Sequence, residues 1–444
     1  MSDPNKPAGD KKPTAAAASR GMSRRDFLAR ASAGAIAPMI LPSGVLGLHG
    51  RLGANDRLVT GHIGVGGMGR AHLRFFAENV GAVCDVDDNH IAQVIEGLGR
   101  EVPTYKDYRR LLERDDLDAV VIAAPDHWHG LMTVHACQAG KDVYVEKPAS
   151  RTIGEGRAMV EAARRYNRVV QVGSQGRSSA HAHAACTFMR NGELGQVREV
   201  VCWHVNNYVG GDWSKTSPPP PNLDWDMWLG PARWVPYNPD RVHFNFRWFM
   251  DFGGGFVRDR GAHVLSLVFW NLNLDHTGPV YVEATGRPSP TGLWDTPETM
   301  EATWRFRDPE LTVRWEQPGT PVTDYDFGAT YIGDRGSTVI EGADGGTIVE
   351  DHVLNYQPPA GGVEVKKSPG HQEDFVECIR TREKPIMDIE AGHRVATACT
   401  MANISYLLGR PLEWDPVAER FLNDPQANAM INPPMRRPWT LEGA

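Results

Sequence analysis

After residue 57 the chain alternates short apolar runs with longer stretches of mixed character. The strand-like runs are 58–65, 81–84, 119–123 and 142–145, and a helix-like stretch covers 130–140. Runs that are apolar at nearly every position are typical of parallel strands buried on both faces. The pattern therefore predicts βαβ units, and hence an α/β fold with a doubly wound parallel sheet.

The first 54 residues follow a different pattern. Two arginines within 23–28 precede a weakly apolar, Ala-rich and Gly-rich stretch, 29–48, which is the layout of a bacterial twin-arginine signal. Pro38 and Pro42 would interrupt an ordinary amphipathic helix, and a membrane span needs about 20 predominantly apolar residues. We predict a signal and linker over residues 1–54, a periplasmic or secreted protein, and no stable membrane anchor after cleavage.

Length and charge narrow the class of protein. At 444 residues the chain exceeds one ordinary domain of about 150 residues. The net charge is −8, and because residues 1–54 are themselves basic, the rest of the chain is more acidic still. An acidic surface without a basic cluster repels phosphate backbones. We therefore expect no nucleic-acid partner.

The cysteines show neither the close pairs of a zinc site nor the density of a disulfide scaffold. They are Cys84, Cys137, Cys186, Cys202, Cys378 and Cys399. We predict buried thiols, although export would permit a disulfide whose partners the sequence does not identify.

A glycine-rich turn follows the first predicted strand. Residues 64–69 read Gly-Val-Gly-Gly-Met-Gly and lead into a helix-compatible stretch, 70–79. In a G-x-G-x-x-G turn the first glycine permits the bend, the second admits the pyrophosphate and the third allows close packing of helix on strand. The predicted cofactor contacts in this turn are Gly64, Gly66, Gly67, Met68 and Gly69.

An acidic residue ends the second predicted strand. Asp85 lies 21 residues after Gly64, near the position at which a carboxylate accepts hydrogen bonds from the adenosine ribose. No arginine occurs in 85–88 to favour the extra phosphate of NADP, so we predict NAD, with NADP less favoured. The alternative is a solvated acidic turn.

Polar loops follow the next two strands at the carboxyl edge, where such sheets bind ligands. From the loops 125–129 and 146–148 we select four further cofactor contacts: Pro125, His129, Glu146 and Lys147. His127 and His129 could in principle hold a metal, but no ligands at convincing spacing accompany them, and we predict no bound metal.

These motifs together resemble the Gfo/Idh/MocA oxidoreductases, named for glucose-fructose oxidoreductase and inositol dehydrogenase. The resemblance rests on the glycine turn with Met68, on Glu146-Lys147-Pro148, and on Asp259-Arg260-Gly261-Ala262-His263 after three glycines at 253–255. It covers nearly all of the chain after residue 57. Segments 225–231 and 403–410 resemble the secreted branch of this family.

The resemblance implies two domains: a Rossmann domain over 55–175 and a substrate and oligomerisation domain over 176–444. The second is expected to be an α+β domain with a large, open, mostly antiparallel sheet, which often mediates homo-oligomers. Its strands are expected at 196–204, 280–287, 299–306 and 311–315.

Oxidising an alcohol requires a group that exchanges the hydroxyl proton. Lys147 ends a strand near the expected nicotinamide, although a lysine capping a surface turn is the alternative. Asp259 and His263 share one face if Asp259 opens a helix. The resemblance assigns proton transfer and hydroxyl contact to Lys147 and His263, while Asp259 binds substrate or steadies the histidine.

Substrate contacts are less defined, because Ser266 and Arg260 stand where relatives often carry Asp and Trp. Arg177 follows a strand-like run and either reaches the substrate or forms a structural ion pair. Arg247 and Trp248, just before the three glycines, are the remaining candidates, since aromatic faces pack against sugar rings. Four prolines at 218–221 predict a stiff loop at the rim of the site or an oligomer arm.

The leading hypothesis is an enzyme that moves hydride between a retained NAD and a sugar-like or cyclitol-like alcohol. Retention is expected because an exported enzyme has no obvious soluble pool of fresh cofactor. A redox-neutral NAD-dependent glycosidase and a non-catalytic sugar sensor remain as alternatives.

Overall fold

The computed structural model describes residues 57–321, 326–336, 338–342 and 350–441. The chain from Leu58 onward clusters as a single unit. The predicted signal and linker at 1–54 lie outside the described residues.

The first sheet has six parallel strands in the order β3-β2-β1-β4-β5-β6. They are β1 Thr60–Ile63, β2 Val80–Cys84, β3 Thr104–Tyr105, β4 Ala119–Ile122, β5 Asp142–Glu146 and β6 Val170–Gly173. Every residue of β1, β4, β5 and β6 is buried, as the unbroken apolar runs predict. The doubly wound parallel sheet is confirmed.

Helices cover both faces of this sheet. They are α1 Gly67–Phe76, α2 Asp88–Leu98, α3 Tyr108–Leu112, α4 Asp126–Gln138 and α5 Ile153–Arg165. The strand order reverses direction between β1 and β4, and a crevice opens outside the carboxyl ends of the strands at such a point. The glycine turn after β1 and the loops after β4 and β5 all reach this crevice.

The second sheet has eight strands in the order β12-β11-β7-β10-β9-β8-β13-β14. They are β7 Val197–His204, β8 Tyr281–Thr285, β9 Met300–Phe306, β10 Leu311–Gln317, β11 Phe327–Gly333, β12 Thr338–Gly342, β13 Leu412–Asp415 and β14 Arg420–Phe421. Only the β7–β10 pair is parallel among the described pairs. The expected large, mostly antiparallel sheet is confirmed.

Alternation along β9 and β10 shows how this sheet packs. Every second residue of each strand is buried, and the residues between them are more exposed, which is the pattern of a sheet with one covered face. On the covered side, the Trp304 indole N–H donates to the carbonyl of Ala398 at 2.9 Å. The other face turns outward.

The later helices connect the two sheets. They are α6 Ala180–Arg190, α7 Trp225–Leu229, α8 Phe256–Asp259, α9 Gly261–Asn271, α10 Asp351–Leu354, α11 His371–Thr381, α12 Ile389–Leu408 and α13 Pro425–Ala429. Phe375 and Cys378 of α11 join the same hydrophobic cluster as Tyr144 of β5. Helix α11, late in the chain, therefore packs against the first sheet.

All six cysteines are buried and free, which confirms the prediction of buried thiols. Within the part of the chain that the structure describes, none of the helices combines the length and the apolar character needed to cross a bilayer.

Candidate active site

A cleft of about 410 Å³ lies at the carboxyl edge of the first sheet. Its floor comes from the glycine turn and from the loops after β2, β4 and β5. One wall comes from the second half of the chain and includes Met227, Trp228, His243, Phe244, Phe246 and Arg247. Binding sites for small molecules and cofactors are typically concave and enclosed in this way.

The glycine turn fits a pyrophosphate. Gly64 has φ of +77°, and a Cβ there would lie 2.5 Å from the amide nitrogen of Ala124. A Cβ on Gly69 would collide with the carbonyl of Gly64, whereas Gly67 faces open space. Helix α1 begins at this turn without a side-chain cap. Its first amide N–H groups can therefore donate to phosphate oxygens.

Asp85 is buried at the edge of the cleft. Its Oδ2 accepts from the Val65 amide at 2.8 Å, and its Oδ1 accepts from the Asp87 amide at 2.9 Å. These bonds fix the carboxylate beside the glycine turn, where it suits ribose hydroxyls. Arg70 of α1 also lines the cleft. The segment 85–88 contains no arginine, but Arg70 of α1 brings a positive charge to the same part of the cleft.

The loops after β4 and β5 are tied together by His129. Its ring nitrogens lie 2.8 Å from the carbonyl oxygen of Ala124 and 2.8 Å from that of Pro148. Pro125 caps α4 and lines the cleft, as does Met68, which is half-exposed. His129 therefore holds the loop that carries Lys147 in place, and it lines the cleft from a buried position.

Lys147 stands where the two halves of the chain meet. Its Nζ donates to the Asp259 carboxylate at 2.7 Å and to the Asp259 backbone carbonyl at 3.0 Å. The Arg247 Nε donates to the same carboxylate at 3.1 Å. Only 8% of the Lys147 side chain is exposed. The structure thus brings two of the residues selected for catalysis, Lys147 and Asp259, into direct contact.

The charges around Asp259 keep it ionised. Burial alone would raise the pKa of its carboxyl, but the positive charges of Lys147 and Arg247 outweigh burial and hold that pKa well below its usual range. Arg260 Nε adds a further cation at 3.8 Å. The Asp259 carboxylate therefore lies within 4 Å of three positively charged side chains.

His263 lies one helical turn beyond Asp259. Asp259 ends α8 and Gly261 begins α9, so the expectation that Asp259 opens a helix needs correction. His263 is buried, and its ring centroid lies 6.4 Å from that of Phe327. Among the described residues, the lining of the cleft includes Lys147 but neither Asp259 nor His263. The part of His263 in proton transfer stays a prediction.

Glu146 supports Lys147 from beneath. Its carboxylate lies 2.7 Å from His72 Nε2 and accepts from Gln175 Nε2 at 2.9 Å and from the Lys147 amide at 3.2 Å. Burial would raise the pKa of Glu146, but the hydrogen bond from His72 contributes most to lowering it. His72 and Gln175 were not predicted, although both follow strands at the carboxyl edge.

Two predicted substrate contacts lie elsewhere. The Arg177 guanidinium pairs with Asp275 through two contacts of 2.7 Å and donates to the carbonyl of Ser266. The structure therefore gives Arg177 the structural ion pair that was its alternative. Trp248 is 0% exposed and offers no face to a ligand. Of the three candidates, only Arg247 lines the cleft.

Exposed aromatic rings lie on top of Trp248. The Tyr208 ring lies 4.9 Å and the Phe244 ring 6.3 Å from the Trp248 ring, measured between centroids. Tyr208 is 55% exposed and Phe244 is 56% exposed. The Arg247 guanidinium lies 4.3 Å above the Phe244 ring. Sequence reasoning selected the buried tryptophan and missed the exposed rings that it supports.

Two family models match the chain. Residues 59–174 match the oxidoreductase family's NAD-binding Rossmann fold, and residues 197–441 match its C-terminal alpha/beta domain.

Among curated proteins, the uncharacterized oxidoreductase YrbE of Bacillus subtilis is 24% identical over 367 residues, which are 80% of this chain and 96% of YrbE. An inositol 2-dehydrogenase of Pseudomonas fluorescens is 31% identical over 162 residues, 35% of this chain and 48% of that protein. A glycosyl hydrolase family 109 protein of Shewanella pealeana is 32% identical over 122 residues, 25% and 27% of the two chains. The last two matches thus span half of the relative or less.

Solved structures show the same fold. The WlbA dehydrogenase from Bordetella pertussis, in complex with NADH and UDP-GlcNAcA, superposes with a TM-score of 0.59 at 18% identity over 81% of this chain and 99% of that one. The myo-inositol 2-dehydrogenase from Lactobacillus plantarum gives 0.56 at 20% identity over 80% and 99%.

Proposed function

Since this chain belongs to the Gfo/Idh/MocA family of oxidoreductases, we propose that it retains an NAD and moves hydride between its nicotinamide and a sugar-like or cyclitol-like alcohol. One observation carries the proposal. Lys147, on the nucleotide-binding half, meets Asp259 of the second half beside a cleft that is lined by the glycine turn and by Asp85.

The adenosine end supports NAD as the cofactor. The glycine turn and the uncapped α1 suit the pyrophosphate, and the Asp85 carboxylate suits free ribose hydroxyls. A phosphate on that ribose would meet the charge of Asp85. NADP is therefore proposed as the poorer ligand, even with Arg70 nearby.

Lys147 is the proposed proton-exchanging group. The bound nicotinamide supplies the hydride acceptor, or the donor in reverse. Asp259 takes two of the three ammonium hydrogens of Lys147, which leaves the third position for a substrate oxygen. In oxidation the Lys147 amino group accepts the hydroxyl proton, and in reduction it returns that proton. We assign His263 to the same hydroxyl in a supporting role.

We propose that Tyr208, Phe244 and Arg247 form the substrate wall. The exposed Phe244 ring, with the Arg247 guanidinium 4.3 Å above it, offers an apolar face for a sugar ring and donors for its hydroxyls, and the exposed Tyr208 ring packs against the same Trp248. Inositol dehydrogenase and a dehydrogenase crystallised with UDP-GlcNAcA are among the relatives and structural neighbours. Phe244→Ala should raise KM for the substrate about tenfold while kcat changes little. An unchanged KM would remove Phe244 from the wall.

Export by the twin-arginine route is part of the proposal. The paired arginines at 24 and 25 support it, and a periplasmic or secreted enzyme would need to keep its cofactor. Cell fractionation of the wild type and of a double variant, Arg24→Lys with Arg25→Lys, tests this, and equal export of both would contradict it. We also propose a homo-oligomer, which sedimentation would reveal.

A redox-neutral glycosidase is the second candidate, because glycosyl hydrolase family 109 proteins occur among the relatives. In that chemistry a bound NAD, held by the glycine turn and Asp85, would supply a transient oxidation of a ring hydroxyl with no net change of the cofactor, and Lys147 would exchange the proton of that hydroxyl. Aryl glycosides separate the two candidates. Only the glycosidase would release the phenol without net reduction of cofactor.

The direct test is a screen of sugars, cyclitols and glycosides against purified protein while the absorbance of reduced nicotinamide is followed. We expect reduction with at least one alcohol, and reduction about 10²–10⁴ times slower in Lys147→Ala. If wild type binds NAD and a sugar but gives no detectable turnover with any compound of the screen, the protein is better described as a sugar sensor; turnover that survives unchanged in Lys147→Ala would remove Lys147 from the chemistry.

A further inference from the structure

A segment of the second half of the chain crosses the cofactor cleft. We call residues 209–251, which lie between β7 and α8, the strap. The strap contributes Met227, Trp228, His243, Phe244, Phe246 and Arg247 to the cleft lining. It therefore lies along the length of the proposed cofactor site rather than over the reacting end alone.

The strap pairs with the backbone at the adenosine end. The Asp88 amide donates to the Asn222 carbonyl at 3.0 Å, and the Asp224 amide donates to the Val86 carbonyl at 3.0 Å. Leu223 thus forms an antiparallel bridge with Asp87. These bonds join the strap to the connection between β2 and α2, directly after the ribose residue Asp85.

Two side chains of the strap contact the Asp87 carboxylate. Its Oδ1 accepts from Asn222 Nδ2 at 2.8 Å and from the Asn89 amide at 2.8 Å, and its Oδ2 lies 2.9 Å from His243 Nε2. Burial lowers the pKa of His243, so the neutral ring donates its N–H to this carboxylate. A carboxylate that is 5% exposed thereby holds two strap residues that are 21 positions apart.

The strap also reaches the ribose carboxylate through a second histidine. The His243 ring lies 4.4 Å from the His90 ring, centroid to centroid, and His90 Nδ1 lies 3.2 Å from Asp85 Oδ2. Both histidines line the cleft. The His243 ring therefore stands next to the position that an adenosine bound to Asp85 would occupy.

The sequence before Asn222 favours this arrangement. Pro218 to Pro221 fix their φ angles and lack amide donors, so this part of the strap has few alternative conformations to lose. The stiff loop predicted from these prolines leads directly into the contact with Asp87. In its middle the strap is held again, because the Trp228 carbonyl accepts from Trp128 Nε1 at 3.0 Å.

We infer that Asn222 and His243 form a latch on Asp87 that closes the strap over the adenosine half of the cofactor and slows its release. The inference rests on the proposed function, because it supplies the physical means by which that function retains NAD. It assigns a cofactor-holding role to residues of the second half of the chain.

The same cluster invites another interpretation. Asp87, His90 and His243 each offer a ligand atom within 4.8 Å of the others, a spacing that suits a divalent metal. The hydrogen bonds favour the latch, because Asp87 Oδ1 already accepts two N–H groups and the His243 nitrogen that faces Oδ2 acts as a donor. A metal would have to replace that proton.

The test measures bound cofactor rather than activity. Wild type, Asn222→Ala and His243→Ala are purified, dialysed and assayed for bound NAD by mass spectrometry, and NADH release is followed by fluorescence during a chase with excess NAD. We expect release to be about tenfold faster in each variant, because each loses a hydrogen bond to a buried carboxylate.

Two matched variants make the result specific. His243→Gln keeps an N–H donor and should restore slow release, while Lys215→Ala, on the strap but paired with Asp240, should behave as the wild type. Unchanged release in both alanine variants would overturn the latch. Fast release from wild type after treatment with a chelator would overturn it in favour of a metal.

Failure of the latch can be separated from failure of the proposed function. If wild type keeps its NAD, reduces it with substrate, and the two alanine variants keep it equally well, only the latch is wrong. If wild type binds NAD tightly but no alcohol reduces it, the proposed function fails while the latch can still be measured. If wild type itself releases NAD rapidly, both the retention and the latch are wrong.

Discussion

The two ends of the cleft are built from different interactions. At the reacting end, Lys147 and Arg247 share the buried Asp259 carboxylate. At the adenosine end, Asp87 is held by neutral donors, an amide and an imidazole among them. The first arrangement concentrates charge where a proton moves, and the second joins two parts of the chain without a buried cation. Proton exchange and cofactor retention should therefore respond to different substitutions.

The two ends should also differ in how much a substitution there lowers the free energy of unfolding. Removing one partner of a buried ion pair leaves an uncompensated charge and costs about 3–5 kcal/mol of stability. Removing one neutral donor from a buried acceptor costs about 1–3 kcal/mol. Changes at the reacting end should affect folding as well as turnover, whereas changes at the adenosine end should mainly affect affinity.

Lys147→Ala should produce the largest effect and test the separation of the two ends. We expect kcat to fall by about 10²–10⁴, the usual contribution of a positioned acid or base, while bound NAD remains. Lys147→Arg is the matched control, because it keeps the positive charge beside Asp259 but does not release a proton at ordinary pH. It should recover thermal stability without recovering turnover. Full activity in Lys147→Arg would exclude proton exchange at this residue.

Asp259→Asn should cost about 3–5 kcal/mol in the free energy of unfolding, since it leaves Lys147 and Arg247 without their buried carboxylate. Denaturant titration measures the loss. Asp275→Asn is the control, because Asp275 pairs with the buried Arg177 outside the cleft. Both variants should be destabilised, but only Asp259→Asn should lose turnover per folded molecule. Equal turnover in the two variants would contradict a role for Asp259 at the reacting end.

Asp85→Asn should act on the adenosine end alone. We expect the Kd for NAD to rise about tenfold and the preference over NADP to shrink, because a neutral amide accepts ribose hydroxyls less well and does not repel a phosphate. Titration calorimetry with each nucleotide measures both changes. The exposed Glu96 of α2 provides a control, Glu96→Gln, which should leave both affinities unchanged. A preference for NADP in the wild type would contradict the assignment of Asp85.

Acid should weaken the fold through histidines that are buried in the neutral form. Burial lowers the pKa of His127 to about 3 and that of His371 to about 4, whereas in the unfolded chain each titrates near pH 6.5.

Between about pH 6.5 and pH 4 the unfolded chain therefore binds more protons, so stability falls with falling pH by up to about 1.4 kcal/mol per pH unit for each residue. Tm measured at pH 7, 6 and 5 should decrease, and less steeply in His127→Gln. The same slope in that variant would show that His127 does not contribute.

Much of the fold could be predicted, because buried parallel strands leave unbroken apolar runs. The runs at 119–123 and 142–145 match β4 and β5 to within one residue. Strand β11 was missed, since Gly328 and Ala329 weaken its apolar pattern. Its place in the sheet depends on pairing with β7 and β12, which no local signal encodes.

The candidate site was predictable only in part. Gly64, Asp85 and Lys147 belong to motifs whose spacing carries physical meaning, and all three line the cleft. His243 lies 156 residues from Asp87, and no motif connects the two. Trp248 was predicted to contact substrate because tryptophan rings often pack against sugars. The structure instead buries it completely, and the sequence around it does not reveal this.

The central claim is that hydride reaches a cofactor that stays on the protein. The most direct measurement uses an alcohol substrate that carries deuterium at the reacting carbon, mixed with enzyme that holds only its co-purified NAD, followed by mass spectrometry of that cofactor. We predict one deuterium in the nicotinamide of the bound cofactor in wild type, and the same label arriving about 10²–10⁴ times more slowly in Lys147→Ala. Product formed while the cofactor stays unlabelled would contradict the claim.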